Sequence, residues 1–205
     1  MVRVTGILRG MRVIEGSAFV AVPLAGMTLA QMGAVAWKHL THPFYDNGPN
    51  DKGIGIQLAY SGINGPNLYT KEVPLAPTAL PIRTFTNDPV QARAMDRQDI
   101  RNLRRWFVNA AKRCHTAGFD LICLYGAHGF GIFQHFLSRA TNQRMDEYGG
   151  SLENRARFAR EVIADMREAV GETMAFTLRV SLDETIGELG FSNAEVRDFI
   201  EMNRD

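Results

Sequence analysis

Residues 119–158 read FDLICLYGAHGFGIFQHFLSRATNQRMDEYGGSLENRARF, and the order of residue types in this stretch decides the fold. The run LICLYGA is short and apolar without strict alternation, the pattern of a strand covered on both faces in a parallel α/β sheet. Directly at its carboxyl end stand two polar rings, Tyr125 and His128, in a Tyr–x–x–His spacing. A long loop rich in Arg, Asn and Gly follows, and Ser151 then caps a helix predicted to run to about Val170 and to close at Gly171.

Outward from there the pattern repeats. Upstream, Asp96 with Asp99 three residues on predicts a helix over about 97–116, ended by Gly118. GIGIQLAY (53–60) reads as a strand. Between them, residues 61–94 hold Pro66, Pro74, Pro77, Pro81 and Pro89 and read as a long irregular flap, too long for a simple connector. Downstream, TMAFTLRVS (173–181) is a strand, and Ser192 with Glu195 opens a last helix. Near the start, MRVIEGSAF is a short strand, PLAGMTLAQMGA (23–34) a helix with Pro23 in its first turn, and VAWKHLTHPFY (35–45) a second helix. Alternating strands and helices imply parallel strands joined by crossovers, an α/β fold.

Composition narrows the function classes. The chain has 205 residues, 45% hydrophobic, with 23 basic and 22 acidic side chains and a net charge of +1, which leaves no nucleic-acid footprint. Residues 16–37 carry no charge and are long enough to span a bilayer. Pro23, Gly26, Gln31 and Gly33 interrupt them, so no membrane role is expected. The five histidines lack a zinc-ligand spacing, and no metal site is predicted. Cys114 and Cys123 form no CxxC and read as buried free thiols of a reducing, cytoplasmic compartment.

The residues then carry a resemblance. TNQRMDEYGGSLENRARF (141–158) resembles the signature of the Old Yellow Enzyme family of FMN-dependent (β/α)8 oxidoreductases. YGAH (125–128) and IQLAYSGINGPNLYTKEVPLAPTALP (56–81) resemble the branch of trimethylamine and dimethylamine dehydrogenases and N-methyl-amine demethylases. The resemblance implies hydride transfer from a methylated amine to FMN, with a small-molecule substrate. The alternatives it leaves are NAD(P)H-dependent reduction of an activated alkene and an inactive barrel fragment. That branch also carries a [4Fe–4S] cluster, whose cysteine ligands have no counterpart here.

The same resemblance implies roles. Gln57 matches the amide that hydrogen-bonds the flavin pyrimidine edge, because an amide offers both donor and acceptor. Read without the motif, it is a polar strand-end residue satisfied by backbone. Arg179 matches the cation beside flavin N1 and O2, where reduction places negative charge. An Arg buried in an apolar strand would also need an anionic partner. Tyr125 and His128 match the substrate-facing pair. Tyr60 and Tyr69 are candidates for an aromatic cage around a methylated cation, with core or flap packing as the other reading. Arg139, Asn142, Arg144, Asn154 and Arg155 are expected to tie the long loop to the helix after it, and His135 to be packed.

A full barrel needs about 250 residues. The expected fold is therefore a partial (β/α)8 barrel over residues 35–205, truncated at both ends, whose exposed strand edges leave self-association open. Residues 1–34 resemble instead the opening strand and helix of class III CoA-transferases and α-methylacyl-CoA racemases, which leaves a CoA-transferase fragment as a further alternative.

Overall fold

The computed structural model describes residues 55–64, 72–81 and 91–203, and the backbone of two short strands before them. Those two, β1 (Arg12–Glu15) and β2 (Val35–Lys38), pair in parallel with Arg12 opposite Val35. The central sheet has three parallel strands in the order β3 (Gly55–Leu58), β6 (Leu121–Gly126), β7 (Ala175–Val180). Between β3 and β6, β4 (Leu75–Ala76) and β5 (Arg93–Ala94) form a small parallel pair, extended by an antiparallel bridge between Pro81 and Gln91.

Helix α1 (Arg97–Thr116) begins at a reciprocal cap: Asp99 N–H donates to Asp96 at 2.7 Å and Asp96 N–H donates to Asp99 at 2.9 Å. Its stripe Ile100, Leu103, Phe107, Ala111 and Cys114 is buried at helical spacing, so one face is committed to the sheet. Helix α3 (Leu152–Val170) starts at Ser151, whose hydroxyl accepts from Asn154 N–H, and α4 (Asn193–Glu201) starts at the Ser192–Glu195 box. Helix α2 (Ile132–Leu137) is short and every residue in it is buried. Phe136 stacks on Phe158 of α3 at 4.4 Å, and Phe133 lies 5.1 Å from Phe107 of α1 and 5.5 Å from Phe158. Burying each such ring contributes about 1.5–3 kcal/mol, so α2 is the wedge that joins α1 and α3 over the sheet.

The helices cover one face of the sheet and leave the other open. Ile56, Ile122 and Leu124 are buried, whereas along β7 Ala175, Thr177 and Arg179 are exposed and Phe176, Leu178 and Val180 half-buried. This is the α/β architecture of a partial TIM barrel, with the open face corresponding to the barrel interior.

The long loop owes its order to buried polar groups. The Arg155 side chain is wholly buried and donates to Leu137 O, to Gly150 O at 3.1 Å and to Glu195. Asn142 donates to Phe136 O and Tyr148 O, both at 2.7 Å, and Arg144 to Pro77 O and Met95 O. Of the ties expected between this loop and α3, Arg155 makes one, whereas Asn142 and Arg144 bond within the loop and to Pro77 and Met95, and Arg139 bonds Glu195 of α4. Asn154 instead accepts from Arg157 at 3.0 Å.

Three expectations need correction. Val35–Lys38, placed in a helix, is a strand: a β-branched and an aromatic residue suit an extended chain, and β1 supplies the ladder. The stretch 61–94 is not wholly irregular, since β4 and β5 pair within it. The loop after Tyr125 contains α2, which has too few residues for periodicity to reveal. The helix expected at 23–34 lies outside the described residues. Among the described residues no helix is long and apolar enough to cross a membrane.

Candidate functional site

In-register pairing builds the open face row by row. Gln57 pairs with Cys123 and Cys123 with Thr177, and one pleat further on Tyr125 pairs with Arg179. Side chains of paired residues in parallel strands share a face, so these five groups line the same side at the carboxyl half of the sheet. Gln57, Cys123 and Tyr125 are half-buried, and Thr177 and Arg179 exposed. The Arg179 guanidinium sits over the Tyr125 ring, 5.6 Å from its centroid.

The expectation for Arg179 changes accordingly. It is not buried in the strand, and among the described residues no carboxylate pairs with it. Alternation puts it on the open side of β7, where it is exposed.

Tyr125 and His128 are joined by a hydrogen bond of 2.7 Å between the phenol oxygen and imidazole Nδ1. The bond depends on an unusual backbone: His128 has φ +59°, a left-handed conformation that costs a side-chain-bearing residue about 1–2 kcal/mol. Four side chains hold that turn. Ser181 Oγ accepts from His128 N–H at 2.8 Å, and Gln134 Oε1 accepts from Gly129 N–H at 2.8 Å. Gly129 O lies 3.2 Å from His135 Nε2 and accepts from the Asn64 amide. Gly131, at φ +90°, passes so close to Tyr125 that a Cβ would lie 2.5 Å from its carbonyl oxygen.

His135 is buried, and burial lowers its pKa to about 4, against the opposing contact with Gly129 O. Its Nδ1 has no hydrogen-bond partner. Gly62, at φ +58°, faces it so tightly that a Cβ there would stand 2.3 Å from Nδ1. His135 is thus packed, as expected, but it lies in α2 and also holds the turn. Cys114 is buried and its thiol is raised to about 11 by that burial; Cys123 is half-buried, and both are free.

Of the two candidate cage residues, Tyr60 is not brought to this face. Tyr60 packs against the helix-side core, 6.3 Å from Trp106 of α1, and its pKa is raised by burial. Strand alternation explains this, since Tyr60 has the parity of Ile56 and Leu58 rather than of Gln57. Tyr69 lies outside the described residues. Sequence reasoning overlooked Asn64, Gln134 and Ser181, and also Glu184, which accepts from Gln134 Nε2 at 2.8 Å. Gln134 left one trace, a polar residue inside the apolar IFQHFL, whereas Ser181 and Glu184 left none. Among the described residues no cluster of three or more His, Cys, Asp or Glu could hold a metal ion.

The model of the NADH:flavin oxidoreductase / NADH oxidase family matches residues 26–204. The chain is 39% identical over 152 residues to an NADPH dehydrogenase of Clostridium acetobutylicum, covering 74% of this chain and 43% of that protein. Histamine dehydrogenase from Rhizobium sp. 4-9 superposes with a TM-score of 0.72 at 70% identity, covering 90% of this chain and 25% of the other. The 6-hydroxypseudooxynicotine amine oxidase of Pseudomonas geniculata N1 does so with 0.70 at 34% identity, covering 89% and 25%. The chain therefore spans less than half the length of these relatives. The family match starts inside the segment 1–34 compared above with CoA-transferases, a resemblance that these matches do not carry.

Proposed function

Because the chain belongs to the NADH:flavin oxidoreductase / NADH oxidase family, we propose that it carries the substrate half-site of an FMN-dependent amine dehydrogenase. The observation that carries this reading is the 2.7 Å bond between Tyr125 and His128 at the carboxyl end of a parallel sheet, beside a cation that no carboxylate among the described residues pairs with. The similarity to a histamine dehydrogenase and an amine oxidase supports it.

The open face suits FMN. Gln57 presents an amide, and Arg179 presents a charge that no described carboxylate neutralises, two strands across and one pleat along. By strand geometry their Cα atoms are roughly 12 Å apart, a span that two long inward side chains share across a flat ring system. Gln57 would hold the pyrimidine edge, and Arg179 would face the locus that becomes negative on reduction. When bound, FMN supplies the two-electron hydride acceptor.

Tyr125 and His128 would manage the substrate nitrogen. An ammonium has no lone pair to expel hydride from the neighbouring carbon, so its N–H proton must leave first. An imidazole whose Nδ1–H donates to the phenol oxygen keeps a free Nε2 lone pair, a fixed acceptor for that proton. Loss of hydride from an N-methyl or N-methylene carbon leaves an iminium, and water converts it to an aldehyde and the smaller amine. A methylated amine would yield formaldehyde, a primary amine ammonia.

The test is direct. The purified chain is incubated with FMN, gel-filtered and scanned in the visible, then mixed anaerobically with trimethylamine, dimethylamine or histamine. Co-eluting flavin that bleaches with an amine supports the proposal. Flavin that bleaches with NADPH but with no amine would replace it with alkene reduction, the reading favoured by similarity to the NADPH dehydrogenase. A colourless protein peak rejects the half-site in this chain.

A further inference from the structure

We propose that Gln134 is a positioning residue that locks the His128 turn to the loop after β7, so that the Tyr125–His128 pair forms only when both strand-exit loops are docked. This deepens, and rests on, the reading of that pair as the group facing the substrate. Gln134 is 2% exposed, and both of its side-chain hydrogen bonds leave its own helix. Its Oε1 accepts from Gly129 N–H at 2.8 Å, and its Nε2 donates to Glu184 Oε1 at 2.8 Å. The other oxygen of Glu184 accepts from Phe191 N–H at 2.6 Å. One buried amide therefore connects the residue next to His128 with both ends of the 184–191 loop.

The chemistry of the two ends admits few side chains. Gly129 offers a donor and Glu184 an acceptor, so the bridging group must accept on one atom and donate from another. A carboxamide does both. A carboxylate satisfies Gly129 but cannot donate to Glu184, and a leucine satisfies neither. The second tie on the same turn, His128 N–H to Ser181 Oγ, also comes from the residue just after β7. The left-handed backbone of His128, which swings its ring back to Tyr125, is thus tied to the segment after β7 directly by Ser181 and, through Gln134, by Glu184.

The readout is the imidazole of His128 in the full chain labelled with 15N-histidine, assigned by its absence in His128→Gln. Long-range 1H–15N spectra report the tautomer of the ring and whether Nδ1 is hydrogen-bonded. Gln134→Leu is expected to move the His128 nitrogen resonances to those of a Tyr125→Phe chain, which lacks the bond. Asn142→Ala, which cuts the ties to Phe136 O and Tyr148 O at the far end of α2, is expected to leave them in place at a similar drop in Tm. Gln134→Glu keeps the Gly129 end and is expected to retain part of the parent signal, which keeps the test alive should the leucine variant fail to fold. His128 resonances unchanged in Gln134→Leu, or moved equally by Asn142→Ala, would overturn the proposal. Because the readout needs neither substrate nor flavin, such a failure would count against Gln134 and not against the amine chemistry.

Discussion

Replacing Arg155 by leucine probes how the long loop is held. The guanidinium is wholly buried and contacts two carbonyl oxygens, Leu137 O and Gly150 O, and the carboxylate of Glu195. Burial lowers its pKa, with Glu195 opposing that shift, so the charge is tolerated because it is paired. Removing one member of a buried, hydrogen-bonded ion pair costs about 3–5 kcal/mol. Glu195 keeps a second cation, Arg139 at 2.5 Å, which places the expected loss near the lower end, about 3 kcal/mol. A domain holds only about 5–15 kcal/mol in total, so this is a large fraction of it. The assay is urea unfolding followed by far-UV circular dichroism, with Arg157→Leu as reference. Arg157 is half-buried and donates to Glu147 O at 2.8 Å and to Asn154 at 3.0 Å, so its loss is expected to cost about 1 kcal/mol. Equal midpoint shifts for the two variants would refute the reasoning, because burial would then carry no weight.

Stability is expected to fall in mild acid because of His135. Its folded pKa is about 4 against 6.5 in the open chain, so below pH 6.5 the unfolded state binds the proton first. The stability present above pH 6.5 is lost as pH falls toward 4, about 2 kcal/mol of it by pH 5, and His135→Gln should flatten that slope in urea midpoints. Gly62→Ala should cost about 2–4 kcal/mol, from left-handed strain plus the clash with His135. Gly118→Ala, at φ +85° with open space around it, should cost only about 1–2 kcal/mol in the same unfolding assay. Arg179→Ala should weaken FMN retention about 10–100-fold, the loss of one charge-assisted contact, and equal flavin content after gel filtration would reject its role.

Much of this architecture is local and so could be read from the chain. The caps at Asp96, Ser151 and Ser192 are contacts over three residues, and each begins a helix where it was expected. The strands around Ile122 and Leu178 announce themselves by apolar runs, and the 141–158 motif carries its family with it. Which face each polar residue takes is different, because it depends on strand partners far apart in sequence. Tyr60 and Gln57 are three residues apart, and only register and helix packing send one toward Trp106 and leave the other on the open face. Arg179 escapes burial for the same reason. Val35–Lys38 is extended because β1 lies beside it, a fact absent from its own four residues. The bridge from Gly129 through Gln134 to Glu184 includes a hydrogen bond between residues 50 apart in sequence. Hydrogen bonds of that reach follow from the packing of α2 against the sheet, and no pattern along the chain encodes them.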